Sequence, residues 1–278
     1  MSSKVPNPIP DITFGLYLIP PERAKQVVLT ALSVGYRSFD SASFYGNERE
    51  VGEAFEEWIA APANSRSSLH IMSKVWNDDL VQGDEAVLNS FEASLSLLKC
   101  DYFDVFLIHW PVPGHHIQAY KCLANHVVPG RARSLGVSNY SPDDFTALIS
   151  SLPPDLPKPV LNQFEINPFV YRPAWIEFFQ EKNVKVLGFK PLTRGKEMAN
   201  EQVLTAADAC KCEPANVLIN YVLSKNCGVI VKSENATRME SNMKLVCAWE
   251  FATLDSLTTA EELENRRLRE EATKNQYI

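Results

Sequence analysis

No stretch of this sequence approaches the ~20 consecutive apolar residues that a bilayer-crossing helix needs, so no helical membrane span is expected. The first residues, MSSKVPNPIPDITFG, hold no apolar core of the signal-peptide kind, and a cytoplasmic protein is expected. Basic residues do not prevail. The 27 Lys and Arg against 34 Asp and Glu leave a net charge of −7, which argues against nucleic acid held on a general basic surface. An acidic total still leaves room for a local cationic pocket. Cysteines are few and scattered: Cys100, Cys122, Cys210, Cys212, Cys227 and Cys247. Cys210 and Cys212 do not have a zinc or thioredoxin spacing, so reduced, buried thiols and no metal site are expected. Asn139-Tyr-Ser and Asn235-Ala-Thr match a glycosylation pattern that carries no weight without a secretory signal. The Gly-rich turn GxGxxG of a doubly wound dinucleotide fold is also missing.

What remains is an ordinary globular composition, 45% apolar and 22% charged over 278 residues, read as one domain spanning residues 1–278. Two hydrophobic periods alternate along it. Short β-rich runs recur in RSFDSA (37–42), LHIMSKV (69–75), YFDVFLIHW (102–110), RSLGVSN (133–139), PVLNQFEI (159–166), VKVLGFKPL (184–192) and GVIVKS (228–233), with a further run in DITFGLYL (11–18). Amphipathic helical stretches separate them, the longest read as one region from Asn200 to Lys225. The strand runs are continuously apolar, as expected where both faces are buried. Eight βα units in this length predict a closed (β/α)8 barrel, with the charged stretch LTTAEELENRRLREEATKNQYI as a helix outside it.

In such a barrel the functional side chains gather at the C-terminal ends of the strands. Applied along the chain, that rule selects Asp40 and Tyr45 after the second strand, Lys74 in the third and His109 with Trp110 after the fourth. It then selects Ser138 and Asn139 after the fifth strand, Gln163 in the sixth, Phe189 and Lys190 in the seventh, and Lys232 with Ser233 after the eighth. Singly, each has an ordinary role: an Asp after a strand caps a helix, and a strand-end Lys is solvated. Together, Asp, Tyr, Lys and His would converge on one mouth. A phenol, of ordinary pKa about 10, is a poor acid at neutral pH. Lys74 would stabilise its phenolate, Asp40 would hold Lys74, and His109 would share the proton relay or donate to a substrate oxygen. That set suits protonation of a carbonyl oxygen.

The blocks FDSASFYGNEREVG, SKVWN, LIHWP, GVSNY, LNQFEINP, VLGFKPL and VKSENATRMESN, in this order, resemble those of the aldo-keto reductases over nearly the whole chain. With a short loop after HWPVPG, the chain is most similar to the compact microbial and fungal members. The resemblance implies an NADP-dependent oxidoreductase that reduces aldehydes or ketones, with NADPH lying extended across the mouth of a TIM barrel. Asp40, Tyr45, Lys74 and His109 match the family's catalytic tetrad. Ser138, Asn139 and Gln163 match the positions that hold the nicotinamide carboxamide, and Phe189 the ring-stacking position. Lys232, Ser233 and Arg238 match the 2′-phosphate site and Asn242 the adenine contact, while Gly15, Tyr17 and Leu192 fall in the blocks beside the cofactor. Tyr17, Phe44, Trp76 and Trp110 would line an apolar substrate pocket.

Departures from the family pattern are Leu16 for a threonine, Ser241 for a glutamate, Asn167 for a histidine and Lys190 for a small residue. Each lost neutral hydrogen bond would cost roughly 0.5–1.5 kcal/mol of cofactor binding. The implied partners are a small-molecule carbonyl substrate, no nucleic acid and no membrane, and the chain is expected to be a monomer. Alcohol oxidation at the same site remains open, as does a non-catalytic reading in which the barrel binds NADP as a sensor or regulatory subunit.

Overall fold

The computed structural model describes residues 9–245 and 250–277; the first eight residues of the N-terminal stretch read above, and Cys247, lie outside the described residues. Eight parallel strands run β1 (Ile12–Gly15), β2 (Ser38–Asp40), β3 (His70–Val75), β4 (Phe103–Ile108), β5 (Ala132–Ser138), β6 (Leu161–Glu165), β7 (Lys185–Phe189) and β8 (Gly228–Val231). Each pairs with its successor and β8 returns to β1, with Ile12 opposite Val229 and Phe14 opposite Val231, so the sheet closes. Closure leaves no strand edge unpaired.

Helices cover the outside: α1 (Pro21–Val34), α2 (Glu48–Ile59), α3 (Asn77–Gln82), α4 (Asp84–Leu97), α5 (His116–His126), α6 (Pro142–Ser151), α7 (Pro173–Glu181), α8 (Glu201–Cys210), α9 (Pro214–Ser224), α10 (Ala236–Asn242) and α11 (Ala260–Asn275). Their ends are written locally. Proline opens α1, α6, α7 and α9, where its missing N–H costs nothing. Ser141 and Asp144 close a reciprocal capping box on α6. The single helical region expected from Asn200 to Lys225 is two helices. Lys211 turns left-handed at φ 53° and Pro214 starts a new helix, so the chain cannot run straight through. The short α3 is not anticipated by the sequence.

Strand alternation decides which side chains enter the barrel. Met72, Val105, Leu107, Leu161, Leu187 and Ile230 form a small cluster of their own in the barrel interior. Their neighbours Ile71, Phe106, Phe164, Val186 and Val229 belong to the large core between sheet and helices. Two residues beyond each interior residue lies the next inward position. From Met72 that position is Lys74, from Leu107 it is His109, from Leu161 Gln163, from Leu187 Phe189 and from Ile230 Lys232. One period-two rule therefore sets these polar and aromatic side chains in a common layer at the C-terminal mouth. The cysteines Cys100, Cys122 and Cys227 are buried thiols, whereas Cys210 and Cys212, at the end of α8, are only half-buried.

Gly52 marks where two outer helices touch. A Cβ there would lie 2.0 Å from the Leu97 carbonyl oxygen and 2.8 Å from Leu98, so α2 packs directly against the end of α4. Alanine is the better helix former by about 1 kcal/mol. The backbone clash is expected to outweigh that gain, and Gly52→Ala should lower stability by about 1–3 kcal/mol in chemical denaturation. An unchanged midpoint would mean that the helices separate there without cost.

Candidate active site

Lys74 is buried to 1% exposure, and its ammonium is surrounded. It donates to Asp40 Oδ1 at 2.8 Å and Oδ2 at 2.9 Å, to the Ser41 carbonyl at 2.6 Å and to the Tyr45 hydroxyl at 3.0 Å. The three tetrad side chains come from β2, the turn after it and β3, and they meet because β2 and β3 are paired neighbours, Asp40 opposite Met72. Behind them Glu48, in the first turn of α2, accepts from Ser73 Oγ at 2.6 Å and Ser94 Oγ at 2.8 Å. That buried carboxylate fixes the segment that follows Tyr45 against β3 and α4.

The expectation that Lys74 acidifies Tyr45 is not what the resting site gives. Burial, and then the negative charge of Asp40, hold the Tyr45 phenol well above its ordinary range. Lys74 is itself drawn down by burial and pulled back up by Asp40. Tyr45 therefore rests as a neutral phenol, the form able to give up a proton. Lys74 already donates to the oxygen on which charge would appear once the proton leaves. His109 lies beside this group with its ring centroid 6.0 Å from that of Tyr45. Burial, and secondarily the Lys74 charge, push it well below the usual imidazole range, so it is neutral and can donate a hydrogen bond without acting as a cation.

These residues form the floor of a cavity of about 1310 Å³. Its size exceeds the upper end of about 1,000 Å³ for a pocket holding one small ligand, so it has room for a cofactor and a substrate together. Phe44 stacks on Trp76 at 3.9 Å, Trp76 meets the His109 ring edge-on at 4.8 Å, and Tyr17 tilts against Tyr45 at 5.1 Å. With Trp110 they make an aromatic wall on one side. The same cavity is lined by Gly15, Ser138, Asn139, Gln163, Phe189, Leu192, Lys232, Ser233, Arg238 and Asn242, so all the residues selected from sequence reach it.

Several observations fit a nicotinamide dinucleotide in that cavity. Asn139 Oδ1 is buried with no hydrogen-bond partner, an open acceptor beside Ser138, suited to a carboxamide N–H. Gln163 reaches the tetrad directly, donating to Asp40 Oδ1 at 2.7 Å. A Cβ at Gly15 would come within 2.8 Å of the Ile230 side chain, so a larger residue there would force Ile230 to shift. Among the described residues no ion pair engages Arg238.

The departures also find their places. Leu16 is fully buried in the core and offers nothing to the mouth. Ser241 turns toward α9, its hydroxyl 3.1 Å from Asn216 Oδ1 while Asn216 donates to the Ser241 carbonyl at 2.6 Å. Asn167 accepts from the backbone N–H groups of Phe169 and Val170, each at 3.0 Å, and caps its own turn. Lys190 pairs with Glu165 at 3.2 Å. The same carboxylate takes Arg266 of α11 at 3.0 Å, and Arg266 and Thr273 line the cavity. The terminal helix thus lies outside the strands but forms part of the site. Sequence reasoning missed this because α11 has no apolar stripe to announce a docking face; its buried residues are Arg266 and Glu270.

Comparison with known proteins agrees with this geometry. A family model described as the aldo/keto reductase family matches residues 12–259. The chain is 36% identical to an aldo-keto reductase of Mycobacterium sp. (strain KMS) over 238 residues, 85% of this chain and 83% of the relative. It is 32% identical to the methylglyoxal reductase of Escherichia coli O157:H7, covering 88% and 86%. Among solved structures it is similar to a Bombyx mori aldo-keto reductase in complex with NADP, at a TM-score of 0.82 and 25% identity, covering 91% and 90%.

Removing one partner of the buried pair should expose its cost. Lys74→Met leaves the Asp40 carboxylate uncompensated and is expected to lose about 3–5 kcal/mol of stability in chemical denaturation. Adding Asp40→Leu should recover most of that loss. A Lys74→Met protein as stable as wild type would show that the ammonium is not needed to keep the carboxylate buried.

Proposed function

The chain belongs to the aldo/keto reductase family, and from that premise we propose that it is an NADPH-dependent reductase of aldehydes and ketones with Tyr45 as its proton donor. The observation that carries the reading is the Lys74 ammonium set between the Asp40 carboxylate and the Tyr45 hydroxyl, 3.0 Å from the phenol oxygen, on the floor of the cavity. When bound, the reduced nicotinamide supplies the hydride for the carbonyl carbon. The chain's own residues handle the oxygen. His109, neutral, donates to the carbonyl oxygen and orients it. Tyr45 gives its proton to that oxygen as negative charge develops there. An alkoxide is a much stronger base than a phenolate, so the transfer runs downhill even from a phenol raised by burial. Lys74 stabilises the phenolate left behind, and Asp40 keeps Lys74 charged and in place.

The cofactor is held by residues lining the same cavity. Ser138, Asn139 and Gln163 take the carboxamide, Phe189 offers its ring face, and Gly15, Tyr17 and Leu192 border the dinucleotide. Lys232, Ser233 and Arg238 take the 2′-phosphate and Asn242 the adenine. Two cations at one phosphate favour NADPH over NADH. The substrate sits against Tyr17, Phe44, Trp76 and Trp110, an apolar wall that excludes water from the proton transfer. Every residue invoked comes from one closed barrel, which supports a single-domain enzyme. The buried thiols Cys100, Cys122 and Cys227 support a reducing, cytoplasmic setting.

Three measurements test the assignment. The protein is expected to oxidise NADPH in the presence of aldehydes or ketones, followed by loss of the dihydronicotinamide absorbance. Tyr45→Phe should slow turnover by about 10²–10⁴-fold while leaving NADPH affinity nearly unchanged. A variant that keeps its full rate would remove Tyr45 from the role. Arg238→Ala should weaken NADPH binding far more than NADH binding, because NADH lacks the extra phosphate. Equal losses for the two would place the phosphate contact elsewhere.

A further inference from the structure

The loop after β8 carries a charge that the proposed function does not use. Glu234 follows Lys232 and Ser233, the residues assigned to the 2′-phosphate. Its Oε1 lies 3.0 Å from Lys232 Nζ, and its Oε2 lies 2.8 Å from Arg23 in the first turns of α1. Lys232 also donates to the Leu18 carbonyl at 3.0 Å, in the chain that follows the neighbouring strand β1. The ammonium meant for a phosphate is therefore already occupied by a carboxylate and a carbonyl. Arg238, by contrast, has no ion pair among the described residues.

We propose that Glu234 is a specificity-determining residue that acts through Lys232, setting how strongly the chain prefers NADPH over NADH. The inference rests on the cofactor reading above and sharpens it. A 2′-phosphate that reaches Lys232 must approach the Glu234 carboxylate, so part of the attraction of Lys232 and Arg238 is cancelled by like-charge repulsion. NADH presents a ribose hydroxyl at the same place, and a carboxylate accepts from a hydroxyl without penalty. Glu234 thus weighs against the phosphate and not against the ribose. Arg23 moderates the effect, since it neutralises part of the Glu234 charge from the far side. The Lys232 and Glu234 side chains keep 34% and 22% of their surface exposed, so water and salt screen the interaction and its effect is modest.

The test is direct binding, with no turnover required. Dissociation constants for NADPH and for NADH are measured on the full-length protein by quenching of its tryptophan fluorescence. Glu234→Gln is expected to raise the NADPH-over-NADH affinity ratio by about threefold or more, with the gain shrinking as salt is added. Arg23→Gln, which leaves the carboxylate less compensated, should move the ratio the other way. Neither residue lines the cavity itself, and a purely structural role would weaken the two cofactors alike. A ratio that is unmoved or lowered in Glu234→Gln overturns the inference alone, provided the wild type binds NADPH. A folded wild type that binds no NADPH overturns the cofactor reading and this inference together.

Discussion

An ammonium buried at 1% exposure cannot stand by itself in a protein interior, and the catalytic end of this barrel is organised around meeting that demand. Lys74 is satisfied by both oxygens of Asp40, the Ser41 carbonyl and the Tyr45 hydroxyl. The pairing of β2 with β3 brings these acceptors within its reach. Asp40 in turn draws in Gln163 from the other side of the barrel. A single buried charge therefore couples β2, β3 and β6 with the Tyr45 phenol. Breaking the pair would disturb stability and chemistry together.

The same site keeps its acid in reserve. A phenol beside a lysine is commonly expected to lose its proton more readily, yet here burial and the Asp40 charge dominate and hold it neutral. A reductase gains from that arrangement. In the proposed reaction the proton donor would stay loaded until negative charge develops on the substrate oxygen, and the lysine would act at that moment. His109, held neutral by the same burial, is kept from competing as a proton source.

Charge also shapes the rim. The terminal helix is held by ion pairs more than by apolar contact: Arg266 with Glu165 and Glu270, and Arg172 with Glu270 at 3.1 Å. Lys190, the departure with no evident purpose in the sequence, shares Glu165 with Arg266 and so ties the loop after β7 to α11. After the neighbouring strand β8, Lys232 is shared between Glu234 and the Leu18 carbonyl. In both places a cation that could face a ligand is first claimed by the protein. At these two positions a ligand would have to exchange with a partner already in place.

The sequence alone determined the strand and helix alternation, the barrel and the layer of functional residues, because all three follow from local periodicity. A period of two carries Met72 to Lys74 and Leu187 to Phe189 without knowledge of any neighbour. The family resemblance then named the cofactor and the tetrad. Tertiary structure alone decided the rest. Nothing local joins Glu234 to Arg23, Lys190 to Glu165 or Arg266 to the cavity, and the break at Lys211 depends on one residue turning left-handed. The protonation of Tyr45 was likewise beyond sequence, since it depends on the depth of burial and on the distances among three charges. Periodicity records which face a side chain takes; only the folded chain fixes which charges meet and how far from water they do so.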